Sequence, residues 1–465
     1  MKAIRDPDAI LATGLAAIRD EYQVPAGFPP DVLAAAEAAA RRAPTAHADR
    51  TGQPFVTLDP ASSTDLDQAF AIERAGADIL LHYAIADVAW FVDDGGAIDA
   101  EAWRRGATLY LPDGKAGLYP PVLSEQAASL LPDGPRPAVI FTIRIDPDGR
   151  PGLDGAERAI IRSRAKLAYA TVTDADLPEG FAELAARMQA AEARRGASRV
   201  DPPEQEVAHA DGHYELVFRQ RHASEDRNAA LSLAANLAIA EALQAHHTGL
   251  FRVMAGPEER AVRRLRFTAR ALGLAWPDAA PLADFERGLD PADPKQAAFM
   301  TAIRRAGSGA AYVPYREGAV PWHAALQATY AHATAPLRRL ADRYVVQAAL
   351  AIAGGRPVPE AVTGAFARLP AVMARADARS GQIERAVIDL AETVMLQDRV
   401  GEVFEAVVTD LDEHGTRIQL CDLPVVARVV ARHVEPGEAL RVKLTGAEPD
   451  TRTLAFQRMA GDGEI

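Results

Sequence analysis

Three aspartates near the start of the chain are the first residues whose types and spacing could do chemistry. The run Asp59-Pro60-Ala61-Ser62-Ser63-Thr64-Asp65-Leu66-Asp67-Gln68-Ala69 follows an apolar stretch, Phe55-Val56-Thr57-Leu58, that reads as a strand. In extended backbone Asp65 and Asp67 project from the same face, and Asp59 at the strand end can converge on them. Clustered carboxylates repel one another unless a cation neutralises them. Their hard oxygens, with waters and a substrate phosphate, suit Mg2+ or Mn2+. The spacing does not follow the EF-hand loop, and an acidic surface turn has the same spacing. A second set lies far downstream, in Tyr330-Ala331-His332-Ala333-Thr334-Ala335-Pro336-Leu337-Arg338-Arg339-Leu340-Ala341-Asp342. There a charge-free approach delivers Arg338 and Arg339 just after a proline, where a helix can begin. Arginine aimed at a carboxylate–metal cluster makes sense when a phosphate bridges them, because it offsets charge in phosphoryl transfer. The plainer alternative is an arginine pair that solvates itself.

The elements that must hold these residues follow from the patterning. The 465 residues suggest about three domains. Residues 1–50 read as short helices, one opening at Asp6-Pro7 and running to about Tyr22, the next capped by Asp31 and running to about Arg42. From 51 to 398 a large α+β domain is expected, with strands at Phe55–Leu58, Ala69–Ile72, Ile79–Asp87 and Val139–Ile145. Beyond Asp226 the apolar period becomes helical, over Leu231–Ala245, Glu258–Leu272, Ala341–Ile352 and Glu360–Leu396. From 399 to 465 five short alternating runs, with a turn at Asp412-Glu413-His414-Gly415, suggest a small OB-type barrel.

Composition narrows the function. A net charge of −13 argues against a broad basic surface, so any nucleic-acid contact must be concentrated locally. Only five basic residues are lysine (2, 115, 166, 295 and 443), the other 46 being arginine, which suits bidentate phosphate contacts but also fits simple codon bias. One cysteine, Cys421, excludes an internal disulfide and a cysteine-rich zinc site, as a reducing cytoplasm would favour. The longest charge-free stretch, 318–337, contains Pro321, His323, Gln327 and His332, so no membrane span is expected. No Gly-Lys-Ser/Thr loop or complete Gly-x-Gly-x-x-Gly fingerprint occurs, so no nucleotide cofactor is expected.

The run from Asp59 to Ala69 resembles the acidic signature of the ribonuclease II family catalytic domain, the RNB domain. Three further segments resemble it in the same order: His82-Tyr83-Ala84-Ile85-Ala86-Asp87-Val88, Leu109-Tyr110-Leu111-Pro112-Asp113, and Tyr330 through Asp342. The C-terminal barrel is similar to the RNA-binding OB fold that ends these enzymes. The resemblance implies an RNB-type catalytic domain in which strands come first and helices follow. It implies a processive exoribonuclease that hydrolyses single-stranded RNA from the 3′ end to nucleoside 5′-monophosphates with Mg2+; the oligomeric state is left open, with a monomer favoured. It puts Asp59, Asp65 and Asp67 on the metal-binding aspartates, with Asp67 and Arg338 as the catalytic pair. Tyr110 falls on the aromatic that stacks the terminal base, Glu384 on a glutamate that holds the terminal nucleotide, and Tyr330, His332 and Arg339 beside the substrate. The signature's fourth aspartate is Gln68 here, which can donate an oxygen but no charge. The alternative is therefore a catalytically weakened RNA-binding or regulatory protein of the same fold. Some fifty residues ahead of the domain leave no room for preceding cold-shock-type barrels, so a more open route to the site is expected.

Overall fold

The computed structural model describes all residues except 1, 5–8, 198–203, 211–212, 220, 292, 308, 413–414, 432 and 460–465. A five-stranded sheet runs in the order Ala48–Asp49, Pro151–Ile161, Arg136–Ile145, Asp78–Ala86, Gln68–Ala75. Its pairings are antiparallel except that of Ala48–Asp49. Strand Asp78–Ala86 alternates at first and is then continuously buried from Tyr83 onward, as a strand covered on both faces must be. One cover is the Ala223–Ala245 helix, whose residues from Ala230 to Ala240 are almost all buried. A helix enclosed on all sides needs no polar face, which explains its almost wholly apolar sequence there; Ser232 and Asn236 are the exceptions and are hydrogen-bonded. Helix Leu340–Ala353 packs against both this helix and the sheet.

The structure corrects several expectations. The proposed opening at Asp6-Pro7 lies outside the described residues; the helix itself spans Ile10–Glu21. Asp31 is not a cap: Pro29 holds the cap position of Pro30–Ala40, and Asp31 lies in the first turn, where its charge favours the helix dipole. The N-terminal fifty residues are not wholly helical, because Lys2–Ala3 pairs with His213–Phe218 and Ala48–Asp49 joins the central sheet. Strands do not simply precede helices. Helix Phe181–Arg195 comes early, and the strand pair Leu250–Val253 with Ala311–Pro314 comes late. The longest strand of the sheet, Pro151–Ile161, has no strand-like sequence. It is largely half-exposed and carries Gly152, Asp154, Gly155 and Glu157. Its pairing comes from the open edge of Arg136–Ile145, not from an apolar period.

The C-terminal part is a closed five-stranded barrel of Val403–Asp412, Gly415–Leu420, Val426–Val430, Thr453–Arg458 and Ala439–Glu448. The turn residues Glu413 and His414 lie outside the described set. Helix Glu360–Leu396, 37 residues and about 55 Å long at 1.5 Å per residue, connects three of the hydrophobic cores. Phe366, Leu369 and Met373 enter the main core; Ile383, Val387 and Leu390 form a second core with Leu11, Leu15 and Ile18; Leu396 belongs to the barrel core.

Near its end Glu392 is buried, accepting from the Val426 backbone N–H at 2.8 Å and from Gln205 Nε2 at 2.6 Å. Burial pushes its carboxyl up to about 8. A raised carboxyl stabilises the fold at acid pH, and that stability is lost as pH rises through about 8. Thermal melts of the metal-free chain therefore fall as pH climbs from the ordinary carboxylate range to about 8, and Glu392→Gln flattens the fall. An unchanged slope in the variant assigns the loss to other groups.

Candidate active site

The aspartate loop is fixed from both ends. Strand Thr57–Asp59 pairs in parallel with Lys166–Ala168, the Asp59 carbonyl accepts from Tyr169 N–H at 3.2 Å, and Lys166 Nζ donates to the Ala61 carbonyl at 2.8 Å. Leu66 is fully buried and acts as the anchor between Asp65 and Asp67. Its N–H donates to Ser129 Oγ at 2.9 Å, and its carbonyl accepts from Leu130 N–H at 3.0 Å. The Asp67 carbonyl accepts from Ala86 N–H at 2.9 Å, so the loop enters the central sheet with its carboxylates already oriented. The strand itself begins only at Gln68; Asp65 and Asp67 lie just before it.

Arg338 arrives from the far end of the domain through a backbone clamp. Thr108 N–H donates to the Arg338 carbonyl, Leu340 N–H donates to the Gly106 carbonyl, both at 3.0 Å, and Ala107 bridges Arg339. Gly106, at φ +74°, makes the turn that starts this segment, and a Cβ there would press on Ala376. Three residues beyond the bridge is Tyr110. One clamp therefore fixes both the arginine and the aromatic.

Asp67 Oδ1 accepts from the Leu337 N–H at 2.7 Å, and Oδ2 lies 3.4 Å from Arg338 Nε. Asp67 is only 4% exposed, whereas the Arg338 side chain is 44% exposed and has a face open to a ligand. Asp65 Oδ2 accepts from the Tyr110 hydroxyl at 3.1 Å, while the Tyr110 residue stays 54% exposed. Burial pushes both Asp59 and Asp67 up to about 7, against the pull of Arg338; Asp65 raises Asp59 further. These carboxylates are under-compensated by the protein's own cations.

That donor chemistry fits a divalent ion, but the three-aspartate ligand set is not assembled. Among the described residues no three His, Cys, Asp or Glu side chains come together to hold a metal ion. Both Asp65 oxygens are instead engaged within the protein, one by Tyr110 and the other by Lys115 Nζ at 2.8 Å. Asp59 and Asp67 are left with unmet charge, each raised by burial and each under the pull of Arg338.

The other expected residues divide. Gln68 shares a sheet face with Tyr83, and its Oε1 accepts from that hydroxyl, so it braces a buried ring and does not join Asp65 and Asp67. Tyr330 and His332 stand edge-to-face with ring centroids 5.2 Å apart, and His332 Nδ1 shares a 2.8 Å hydrogen bond with the Tyr312 hydroxyl. Burial, reinforced by Arg339, holds the His332 imidazole well below its usual range, hence neutral. Arg339 donates to both oxygens of Asp342, at 2.9 and 2.7 Å, and serves the wall rather than offering a free charge. Glu384 lies on the long helix; burial raises its carboxyl, and its electrostatic neighbours are Glu204, Arg304 and Arg385, not the aspartates. Sequence reasoning missed Lys115 and Lys166. A signal was present: two of only five lysines border the aspartate loop.

A strand-anchored carboxylate loop, a distant arginine and an exposed tyrosine thus meet in one domain, and a closed barrel follows it. The RNB domain model matches residues 48–352, and the model for the RNase II-type exonuclease C-terminal S1 domain matches 402–459. The chain belongs to the RNB-domain family, of ribonuclease II type. Ribonuclease R of Escherichia coli (strain K12) is 28% identical over 405 residues, covering 80% of this chain and 49% of the relative. The chain thus spans about half the length of that curated relative. Mycoplasma genitalium RNase R, solved in complex with ribose methylated single-stranded RNA, superposes with a TM-score of 0.85 at 19% identity, covering 99% of this chain and 79% of that one. Yeast Ssd1, a pseudonuclease, does so with 0.69 at 16% identity, covering 92% and 56%.

Proposed function

We propose that the chain is a divalent-metal-dependent 3′-to-5′ exoribonuclease that shortens single-stranded RNA processively to nucleoside 5′-monophosphates. One observation carries the reading: Asp67 and Arg338, 271 positions apart, meet beside an exposed Tyr110 with the Leu337 N–H fixing the carboxylate. Asp59 and Asp67 would hold Mg2+ or Mn2+. When bound, the ion polarises the phosphoryl group and makes a water more acidic. Arg338 faces the scissile phosphate and offsets its developing charge. The Tyr110 ring stacks the 3′-terminal base, a contact worth roughly 1–3 kcal/mol and indifferent to base identity. Tyr330 and His332 line the wall next to Arg338, with the neutral imidazole adding no charge. Discrimination against DNA is assigned to contacts with the 2′-hydroxyl.

The test is incubation of a 3′-extended RNA with the chain in Mg2+ and in EDTA. Release of 5′-monophosphates in Mg2+ alone is expected. A second reading rests on Gln68, whose amide is committed to Tyr83 where the family signature has a carboxylate. Under that reading the chain forms stable RNA complexes and releases nothing under either condition.

A further inference from the structure

Lys115 sits where a cation would otherwise be needed. Its Nζ is 2.8 Å from Asp65 Oδ1, 3.1 Å from Glu125 Oε1 and 3.5 Å from Thr64 Oγ1. All three charged side chains are largely covered, with exposures of 24%, 12% and 30% for Lys115, Asp65 and Glu125. Nor is the lysine carried on a loose loop. Strand Leu109–Leu111 pairs with Gly114–Ala116 so that Tyr110 stands directly opposite Lys115, and both reach Asp65. The turn between these strands is fastened by Arg19, which donates to Asp113 Oδ1 at 2.7 Å and to Oδ2 at 3.0 Å. The hairpin therefore presents one ammonium and one hydroxyl to the two oxygens of a single carboxylate.

The charge balance gives this geometry a meaning. When all are ionised, Asp59, Asp65, Asp67 and Glu125 carry four negative charges, and Lys115 with Arg338 reduces them to two, the charge of one divalent ion. With an aspartate at position 68 and no lysine, five carboxylates against Arg338 would leave four, enough for a two-ion site of the kind used in many phosphoryl-transfer enzymes. This chain has Gln68 at the fourth position and Lys115 at Asp65, and both differences move the balance the same way.

We propose that Lys115 is a built-in cation that substitutes for a second metal ion at Asp65, so that the site works with a single divalent ion on Asp59 and Asp67. Lys115 is a positioning residue in this scheme. It keeps Asp65 and, through it, the Tyr110 hydroxyl in place while the substrate end moves through. The proposal rests on the exoribonuclease reading for its context, but its test does not depend on turnover.

The probe is Mn2+ alone, titrated into the full chain by calorimetry and by electron paramagnetic resonance of the free ion. Wild type is expected to bind one Mn2+. Lys115→Met is expected to bind two, because Asp65 Oδ1 and Glu125 Oε1 are then released by the ammonium and open to the second. Lys115→Arg, which keeps the charge, stays at one and shows that folding is not the variable. Two ions in wild type, or one ion in both wild type and Lys115→Met, overturns the proposal. If wild type shortens RNA yet binds two ions, only the lysine's role falls. If it binds one ion but leaves RNA intact, the exoribonuclease reading falls instead.

Discussion

Asp67→Asn lowers RNA shortening by about 10²–10³-fold and leaves RNA affinity within a few-fold of wild type. The amide is the same size and still accepts from the Leu337 N–H, so the loop keeps its course. What is lost is the charge that opposes Arg338 and that the proposed function assigns to an ion. Affinity is retained because stacking on Tyr110 and backbone contacts elsewhere do not involve Asp67. The variant also has a signature in stability. The wild-type carboxyl is raised to about 7 by burial, so the metal-free chain loses stability as pH climbs from the ordinary carboxylate range through about 7. An amide has no such loss, and metal-free Asp67→Asn melts at or above the wild-type temperature near pH 8. Normal turnover by this variant removes Asp67 from the ion site, whatever the melts show.

Arg338→Ala is the second large effect, with turnover reduced about 10²–10³-fold and affinity by less than tenfold. The residue's backbone, not its side chain, makes the clamp with Thr108, so the alanine variant keeps Tyr110 in place. The guanidinium also pulls Asp59 and Asp67 down against burial. Its removal therefore shifts the acid limb of the pH–rate profile upward, since both carboxyls must ionise to hold the ion. Arg338→Lys restores the limb more than the rate, because an ammonium supplies charge without the planar fork. A loss confined to affinity, with the chemical step intact in single-turnover experiments, reassigns Arg338 to docking.

What was legible in the sequence follows a physical division. Helix Glu360–Leu396 was readable to the residue because a single amphipathic period runs its whole length, with Pro370 the one interruption. The barrel strands were readable because one face is core and the other water. The aspartate loop was readable because its chemistry resides in side chains. The donor that fixes Asp67 was not, because it is the backbone N–H of Leu337, which no residue type announces. Nor was the engagement of Asp65, since a lysine fifty positions away reaches it only through the 109–116 hairpin. Strand Pro151–Ile161 escaped for a related reason: its neighbour's edge, not its own composition, recruits it.

The long helix makes the borders of the matched family domain a poor guide to where the chain can be cut. That domain ends at residue 352, yet Leu109 and Leu111, on either side of Tyr110, rest on Ile383, Val387 and Leu390 of the helix. A fragment stopping at 352 keeps every group proposed for the chemistry and discards the floor beneath the Tyr110 strand. Such a trimmed protein would retain the aspartates and still fail to grip an RNA end, for want of scaffolding that never touches it.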